Sequence, residues 1–261
     1  MELSIINTFT EQPFRGNPAA VCLLNEEKDD KWMQTVAKEI NLPTTAFIHY
    51  SHHEFYLRWF TTSTEIPICG HGTMASANFL WEKGLIDKGK TISFQTKSGV
   101  LRAQLIDGWI QLQFPAIPEE KINNPELLLT ALCVKPIYVG KSKLDYLVEV
   151  ESEEIVRSLK PNIDILAQLP VRGVIVTSKS KTSEFDFVSR FFSPSQGIIE
   201  DYVNGSSHCC LGPYWKNKLN KNEFIAYQAS ERGGILKVRV LDNEVFLSGQ
   251  AITLFDGKFL V

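Results

Sequence analysis

The sequence predicts an α+β fold of two similar lobes, because part of the chain occurs twice. Arg58-Trp59-Phe60 precedes a glycine-bearing turn and an apolar helical run, and Arg190-Phe191-Phe192 does the same 132 residues later. Further along, Gly99-Val100-Leu101-Arg102 is matched by Gly234-Ile235-Leu236-Lys237 after 135 residues. A repeat of about 130 residues fits a duplicated domain and is too long for a solenoid unit.

Each lobe combines many short strands with one strongly apolar helix. We expect lobes at 1–116 and 117–261, with the last strand-like run crossing back to the first lobe. The segments 72–83 and 206–219 are apolar on nearly all sides, which is typical of a helix buried inside its domain. The sequence therefore predicts, once per lobe, a mixed β-barrel around a central α-helix.

The remaining elements follow from periodicity and turn residues. Trp32, Val36, Ala37 and Ile40 share one face, which predicts a helix over 30–40. Further helices are expected at 125–132 and 163–169. Alternating or short apolar runs bounded by Gly, Pro, Asn and Asp predict strands. These lie at 3–9, 19–24, 45–49, 54–60, 91–94, 100–106, 109–114, 137–139, 146–150, 173–177, 185–192, 224–228, 235–241, 244–247 and 251–255.

Composition excludes several classes of protein. Hydrophobic residues make up 44% and charged residues 22% of the 261 residues, so a full core is expected. The net charge of −3 and the scattered lysines and arginines argue against nucleic-acid binding. No apolar run approaches the roughly 20 residues of a membrane span, and the N-terminus does not read as a signal peptide. We expect a cytoplasmic protein.

The five cysteines indicate neither disulfides nor a metal. Their number is odd, two of them are adjacent in sequence, and no C-x-x-C pair occurs. Reduced and mostly buried thiols in a reducing compartment are the expectation.

Both apolar helices begin at a glycine-bearing turn, 69–72 and 204–207. Helix N-termini present N–H groups and a partial positive charge, so each can hold a carboxylate or a phosphate. The alternative is that each turn is an ordinary helix N-cap that binds no ligand. Because the turns occupy matching places in both lobes, we favour a site, and a cleft between two lobes is its usual place.

Three polar side chains near these turns are candidates for chemistry. His71 lies in the first turn, where the helix dipole favours a neutral ring that can hydrogen-bond to a substrate; the alternative is a histidine with a purely structural role. Asp201, next to Glu200, is either a helix-end partner or a general acid–base. His208 lies one turn inside its helix and is expected to be packed.

The chain resembles the PhzF-like (phenazine biosynthesis-like) family within the diaminopimelate epimerase fold. Three segments carry the resemblance: 9–21, 58–73 and 200–215. It implies two pseudo-symmetric barrel–helix lobes with the active site between them, no metal, no organic cofactor, and a homodimer. It also implies isomerisation by proton transfer on a small carboxylate-bearing metabolite, without nucleic acid or membrane as a partner.

The resemblance also implies which residues act. His71 and Asp201 match catalytic positions of the family. Substrate-binding positions are matched by Asn17, Gly70, Gly72, Thr73, Gly205, Ser206 and Ser207.

The chain departs from the family at the general base. The family usually reads N-L-S-E-T-A-F after the first helix, and its glutamate moves the proton. Here the segment 41–47 reads N-L-P-T-T-A-F, so Thr44 occupies the position of the glutamate. A hydroxyl has no usable pKa near 7 and cannot move a carbon-bound proton unaided. Tyr202 and Asn204 are two further departures, where proline and threonine are common.

Epimerase relatives use two opposed cysteines, and Cys69 matches the first of them. In the second lobe we expect Tyr202 or Val203 at the equivalent place, which argues against a two-thiol racemase. A thiolate at a helix N-terminus has a lowered pKa, so Cys69 is either a substitute base or a packed side chain.

Three functions remain open. The first is an isomerase in which Asp201 is the acid–base, His71 a hydrogen-bonding partner, and Glu65 or Cys69 an additional base. The second is an inactive protein that still binds a small molecule in its cleft. The third is a structural or interaction module.

Overall fold

The computed structural model describes residues 1–260, which form a sheet-rich mixture of strands and helices. The helices are α1 (Asp30–Ile40), α2 (Gly70–Glu82), α3 (Glu126–Leu132), α4 (Glu153–Ser158), α5 (Ile163–Leu166) and α6 (Gly205–Leu219), with a 3₁₀ turn at Pro194–Gln196. The strands are β1 (Glu2–Thr8), β2 (Asn17–Leu24), β3 (Thr44–Ser51), β4 (Glu54–Phe60), β5 (Glu65–Ile66), β6 (Ile92–Thr96), β7 (Gly99–Ile106), β8 (Trp109–Pro115), β9 (Glu119–Lys121), β10 (Pro136–Ser142), β11 (Asp145–Val150), β12 (Gly173–Lys179), β13 (Phe187–Phe192), β14 (Glu223–Gln228), β15 (Gly234–Leu241), β16 (Glu244–Gly249) and β17 (Ala251–Lys258). Among the helices of residues 1–260, none is long and apolar enough to cross a bilayer.

The chain divides into two compact units. The first unit comprises Met1–Gln113 together with the chain from Ser248 onward, and the second unit comprises Phe114–Leu247. The end of the chain belongs to the first unit because β17 pairs antiparallel with β1 along the whole of β1.

The first unit combines parallel and antiparallel strand pairings. From β17 the order is β1, β2, β3, β4, β6, β7 and β8, and β5 adds to β4. The pairs β2–β3 and β4–β6 are parallel, and α1 and α2 provide the two crossovers that parallel neighbours require. The sheet thus places the start of β3 beside the start of β2, where Thr44 pairs with Ala19.

Helix α2 is the centre of the first unit. Its residues Met74, Ala77, Phe79 and Leu80 are all buried, and strands β1, β2, β3, β7 and β17 contact it. Gly84, with φ +66°, follows the helix and confirms the predicted C-terminal glycine, since this backbone region favours a residue without Cβ.

The second unit repeats the pairing pattern of the first. The order is β9, β10, β11, β12, β13, β14 and β15, and the parallel pairs are β11–β12 and β13–β14. Helix α6 follows β13 as α2 follows β4 and β5, and most of its side chains are buried. The repeat seen in the sequence is therefore a repeat of strand order. Closure of each sheet into a barrel stays a prediction.

Some predicted boundaries are wrong. Helix α5 ends at Leu166 and not at 169, and α4, capped by Ser152, was not predicted because its short polar sequence shows no apolar periodicity. Strand β3 begins at Thr44, one residue before the predicted start, since pairing with β2 extends it. Cys133 is exposed, unlike the other four cysteines.

Candidate active site

Cys69 is the N-cap of α2. Its backbone is extended (φ −149°, ψ 104°), and its Sγ accepts a hydrogen bond from the N–H of Gly72 at 3.4 Å. Gly72 permits this close approach, because a Cβ there would lie 2.7 Å from Cδ1 of Trp59 and 3.1 Å from Cys69 Sγ. Caps are usually Ser, Thr, Asp or Asn, so a thiol at this place points to chemistry more than to helix stability.

Thr44 lies against this thiol. Its Oγ1 is 3.6 Å from Cys69 Sγ, and the two residues are only 1% and 6% exposed. Thr44 is the first residue of β3 and Cys69 is the N-cap of α2, so this contact joins the start of the strand to the N-terminus of the helix. The position that the resemblance assigns to the glutamate therefore contacts a sulfur.

His71 completes the contacts around Cys69. Its Nδ1 and Nε2 lie 3.5 Å and 3.9 Å from Cys69 Sγ. Burial raises the pKa of the Cys69 thiol, but the charge and hydrogen bond of His71 and the hydrogen bonds from Thr44 and Gly72 outweigh burial, so the pKa of Cys69 is lowered. We name Thr44, Cys69 and His71 the thiol cluster.

Both carboxylate oxygens of Glu65 form ion pairs. Arg58 donates to both of its carboxylate oxygens at 2.8 Å, and Lys97 donates at 2.5 Å. The hydrogen bond from Arg58, followed by those of Lys97 and both positive charges, lowers the pKa of Glu65 against the effect of burial. A carboxylate held in this way is a weak base.

The same arrangement explains why the arginine motif is repeated. In the second unit Arg190 donates to both oxygens of Glu200 at 2.7 Å. Each arginine also lies over the aromatic ring two positions further on, Phe60 or Phe192. Each pair connects a strand to the segment that precedes a central helix, β5 in the first unit and a loop in the second, a role that the motif alone did not indicate.

Asn204 is the N-cap of α6 and corrects one expectation. It lies 135 residues after Cys69, the separation of the sequence repeat, so the place equivalent to Cys69 is Asn204 and not Tyr202 or Val203. Its Oδ1 accepts from the N–H of Ser207 at 2.7 Å. The second unit therefore has an amide where a second thiol would stand.

Asp201 is held in the loop before α6. Asn204 Nδ2 donates to its Oδ2 at 2.8 Å, its own N–H donates to the carbonyl of Phe191 at 3.0 Å, and Gln228 Nε2 donates to its carbonyl at 2.7 Å. The half-buried carboxylate is thus fixed but remains partly accessible.

An ion pair between a buried carboxylate and a partly buried arginine contacts the first turn of α6. Asp145, 1% exposed, accepts two hydrogen bonds from Arg172, and the Nη1 of Arg172 donates to Ser206 Oγ at 2.8 Å. Sequence reasoning missed both residues, because neither belongs to a motif and they meet only through neighbouring strands.

The other predicted residues lie at the same helix ends. Gly70 and Gly205 are the first residues of α2 and α6, and Thr73 Oγ1 donates to the carbonyl of Cys69 at 2.7 Å. Ser207 Oγ donates to the carbonyl of Asn204 at 2.8 Å. The structure thus gathers Thr44, His71, Gly70, Gly72 and Thr73 in the first unit and Asp201, Gly205, Ser206 and Ser207 in the second. Asn17 lies at the start of β2, buried, where its carbonyl accepts from Thr8.

Comparison with known proteins identifies close relatives over the full length. The family described as phenazine biosynthesis-like protein matches residues 6–257. An uncharacterized isomerase of Halalkalibacterium halodurans is 50% identical over 258 residues, which are 98% of this chain and 97% of that protein. A phenazine biosynthesis-like domain-containing protein of Homo sapiens is 38% identical over 283 aligned residues, with 98% of each chain covered.

A solved structure shares the fold. The crystal structure of a PhzF-family phenazine biosynthesis protein from Enterococcus faecalis superposes with a TM-score of 0.94, at 36% identity and with 100% of this chain and 99% of that chain covered. These similarities confirm the resemblance found in the sequence and the prediction of an isomerase.

Proposed function

The chain belongs to the phenazine biosynthesis-like family, and from this premise we propose that it transfers a proton on a small carboxylate-bearing metabolite. One observation carries the proposal: Oγ1 of Thr44, at the position of the family's glutamate, lies 3.6 Å from Sγ of Cys69. The surroundings of this thiol, His71 first among them, lower its pKa against the effect of burial. The position at which the family has its glutamate base thus lies beside the Cys69 thiol, which can itself act as a base.

Cys69 is the base in the first unit. A thiolate with a lowered pKa can accept a proton from carbon near neutral pH, whereas a threonine hydroxyl cannot. His71 stabilises the negative sulfur most, and the Thr44 hydroxyl and the N–H of Gly72 add hydrogen bonds as donors. Threonine at this position would then assist the base without replacing it.

Glu65 does not take this role. Its two oxygens are held by Arg58 and Lys97, and protonating it would break a bidentate ion pair. Of the two additional bases left open by the sequence, the geometry supports Cys69.

Asp201 is the proposed acid–base partner, and His71 hydrogen-bonds to the substrate. The hydrogen bond from Asn204 orients Oδ2 of Asp201. As a general acid–base, the carboxyl group of Asp201 would exchange a proton with the substrate. Helix N-termini favour anions, so the substrate carboxylate would bind at such an end, at Gly70, Gly72 and Thr73 in the first unit or at Gly205, Ser206 and Ser207 in the second.

The replacement of the glutamate favours one rival function. A protein that has lost its base can still bind the metabolite without catalysing a reaction. The presence of Thr44 at the position of the glutamate supports this function. Such a binder would be stabilised by its ligand, by about 2.7 kcal/mol at 100 times the Kd, without turnover.

Deuterium exchange separates the two functions. Amino acids and cyclic carboxylic acids are incubated in deuterated water with the protein, and loss of carbon-bound protons is followed by NMR. We expect exchange by the wild type and a loss of about 10²- to 10⁴-fold in Cys69→Ala and in Asp201→Asn, the usual size of a general acid–base effect. Cys133→Ala, which removes an exposed thiol, should exchange like the wild type.

Each variant tests one residue. Unchanged exchange in Cys69→Ala would remove Cys69 from the mechanism, and unchanged exchange in Asp201→Asn would remove Asp201. Exchange by Thr44→Glu alone, with ligand-induced stabilisation of the wild type, would establish the binding function instead.

A further inference from the structure

A cavity of about 540 Å³ opens on the first unit, at the end of β3 away from Thr44. His49 and Ser51, near the end of this strand, line it. At about 3.3 Å per residue, the lining residues Phe47 and His49 lie about 10 Å and about 17 Å along the strand from Thr44, and none of Thr44, Cys69 and His71 lines the cavity. The cavity is therefore separate from the thiol cluster, and its volume is within the range of about 300 to 1,000 Å³ typical of small-molecule sites.

The floor of the cavity is apolar. Leu24, Met33, Phe47 and Leu57 line it, and all four residues are buried. Phe47 shares its face of β3 with His49, since alternate residues of a strand point the same way. Such a floor suits a ring or a branched hydrocarbon chain.

The rim is polar and richer in cations than in anions. Lys28, Arg58 and Lys97 line the cavity, whereas Glu27 is the single carboxylate among its lining residues within 1–260. Tyr56 adds a hydroxyl that a ligand can contact.

Two of these cations, Lys28 and Lys97, can leave their present ion pairs and contact a ligand with little loss of free energy. Lys97 is 57% exposed and pairs with Glu65, which keeps its bidentate contact with Arg58 if Lys97 moves away. Lys28 pairs with Glu26, whose side chain is 73% exposed, and an ion pair of this kind contributes little. Neither carboxylate would be left buried and unpaired.

We propose that this cavity is a second ligand site that binds a small amphipathic anion: an apolar ring or branched chain carrying one carboxylate or sulfonate. The apolar part occupies the floor, and the ammonium groups of Lys28 and Lys97 meet the anion at the rim. The proposal rests on the floor and rim described above and is independent of the proton-transfer chemistry.

Two fluorescent probes of matched shape test it. Anilinonaphthalene sulfonate carries an apolar aromatic body and one anionic group, and phenylnaphthylamine has the same body without the charge. We expect the sulfonate to bind the wild type with one-to-one stoichiometry and more tightly than the neutral probe. The double variant Lys28→Glu/Lys97→Glu should weaken sulfonate binding by about tenfold, the combined size of two solvent-screened ion pairs, and leave the neutral probe unchanged.

Two further variants locate the probe. Lys88→Glu, an exposed lysine of the first unit that does not line the cavity, should bind like the wild type. His49→Trp fills the cavity and should weaken both probes. Absence of sulfonate binding, equal binding of both probes, or an equal loss in Lys88→Glu and the double variant would each overturn the proposal.

Discussion

The buried histidine of α6, His208, makes the free energy of unfolding of the protein depend on pH. His208 is fully buried, its Nδ1 lies 2.8 Å from the carbonyl of Asn204, and its ring stacks on Phe187. Burial lowers its pKa from 6.5 to about 4, against a smaller opposing effect of the Asn204 carbonyl. The ring is therefore neutral in the folded protein at every pH above about 4.

The sign and size of the effect follow from linkage. Between about pH 6.5 and about pH 4 the unfolded chain binds a proton at this ring and the folded chain does not, so the free energy of unfolding falls as the pH falls. Integrated from pH 7 to about 4.5, this one site removes about 2 to 3 kcal/mol of stability. Below about pH 4 both states are protonated and the effect levels off.

Urea unfolding near pH 7 and at about pH 4.5 measures the effect. His208→Gln keeps a donor for the Asn204 carbonyl but cannot titrate, so we expect its loss of stability on acidification to be about 2 to 3 kcal/mol smaller than that of the wild type. His53→Gln, at an exposed position, is the control and should lose as much as the wild type. Equal losses in all three proteins would refute the assignment of a neutral buried ring.

Two further substitutions test the supports of the helix ends. Arg172→Gln leaves the buried carboxylate of Asp145 without its cation and should lower the free energy of unfolding by about 3 kcal/mol in urea titrations. Adding Asp145→Asn should restore much of this loss. A loss below about 1 kcal/mol would contradict the dependence of the buried carboxylate on Arg172. Gly72→Ala places a methyl group 2.7 Å from Trp59 Cδ1 and should destabilise by about 1 to 3 kcal/mol in thermal unfolding, so an unchanged Tm would show that the tight approach is not needed.

The sequence predicted the two central helices and their glycine-bearing starts, because strong apolar composition and turn residues are local signals. The same reasoning assigned Cys69 to a helix N-terminus, where the structure has it as the N-cap. The repeat of the arginine motif also corresponds to a repeated feature, a bidentate pair with a glutamate in each unit. Local pattern was sufficient for the helices and for the repeat of the motif, but not for the pairing of each arginine with a glutamate.

Contacts between distant residues were beyond local pattern. The approach of Thr44 to Cys69 depends on the register of β3 against β2, and the pairing of Arg172 with Asp145 depends on the neighbouring strands β11 and β12. Helix α4 was missed because six residues are too few to show a periodicity. Such features arise from tertiary pairing, which no single segment encodes.

The ionisation of Cys69 tests the central claim most directly. Thiolate absorbance near 240 nm is followed during a pH titration of the wild type and of Cys69→Ser, and the difference reports Cys69 without requiring that a reagent reach it. The other buried thiols do not interfere, because burial raises the pKa of Cys22 and of Cys209 to about 12 and also raises the pKa of Cys210. We expect the difference to appear below the pH of about 8.5 at which a free cysteine ionises. A difference that appears only at or above that pH would contradict the proposal that Cys69 is the base.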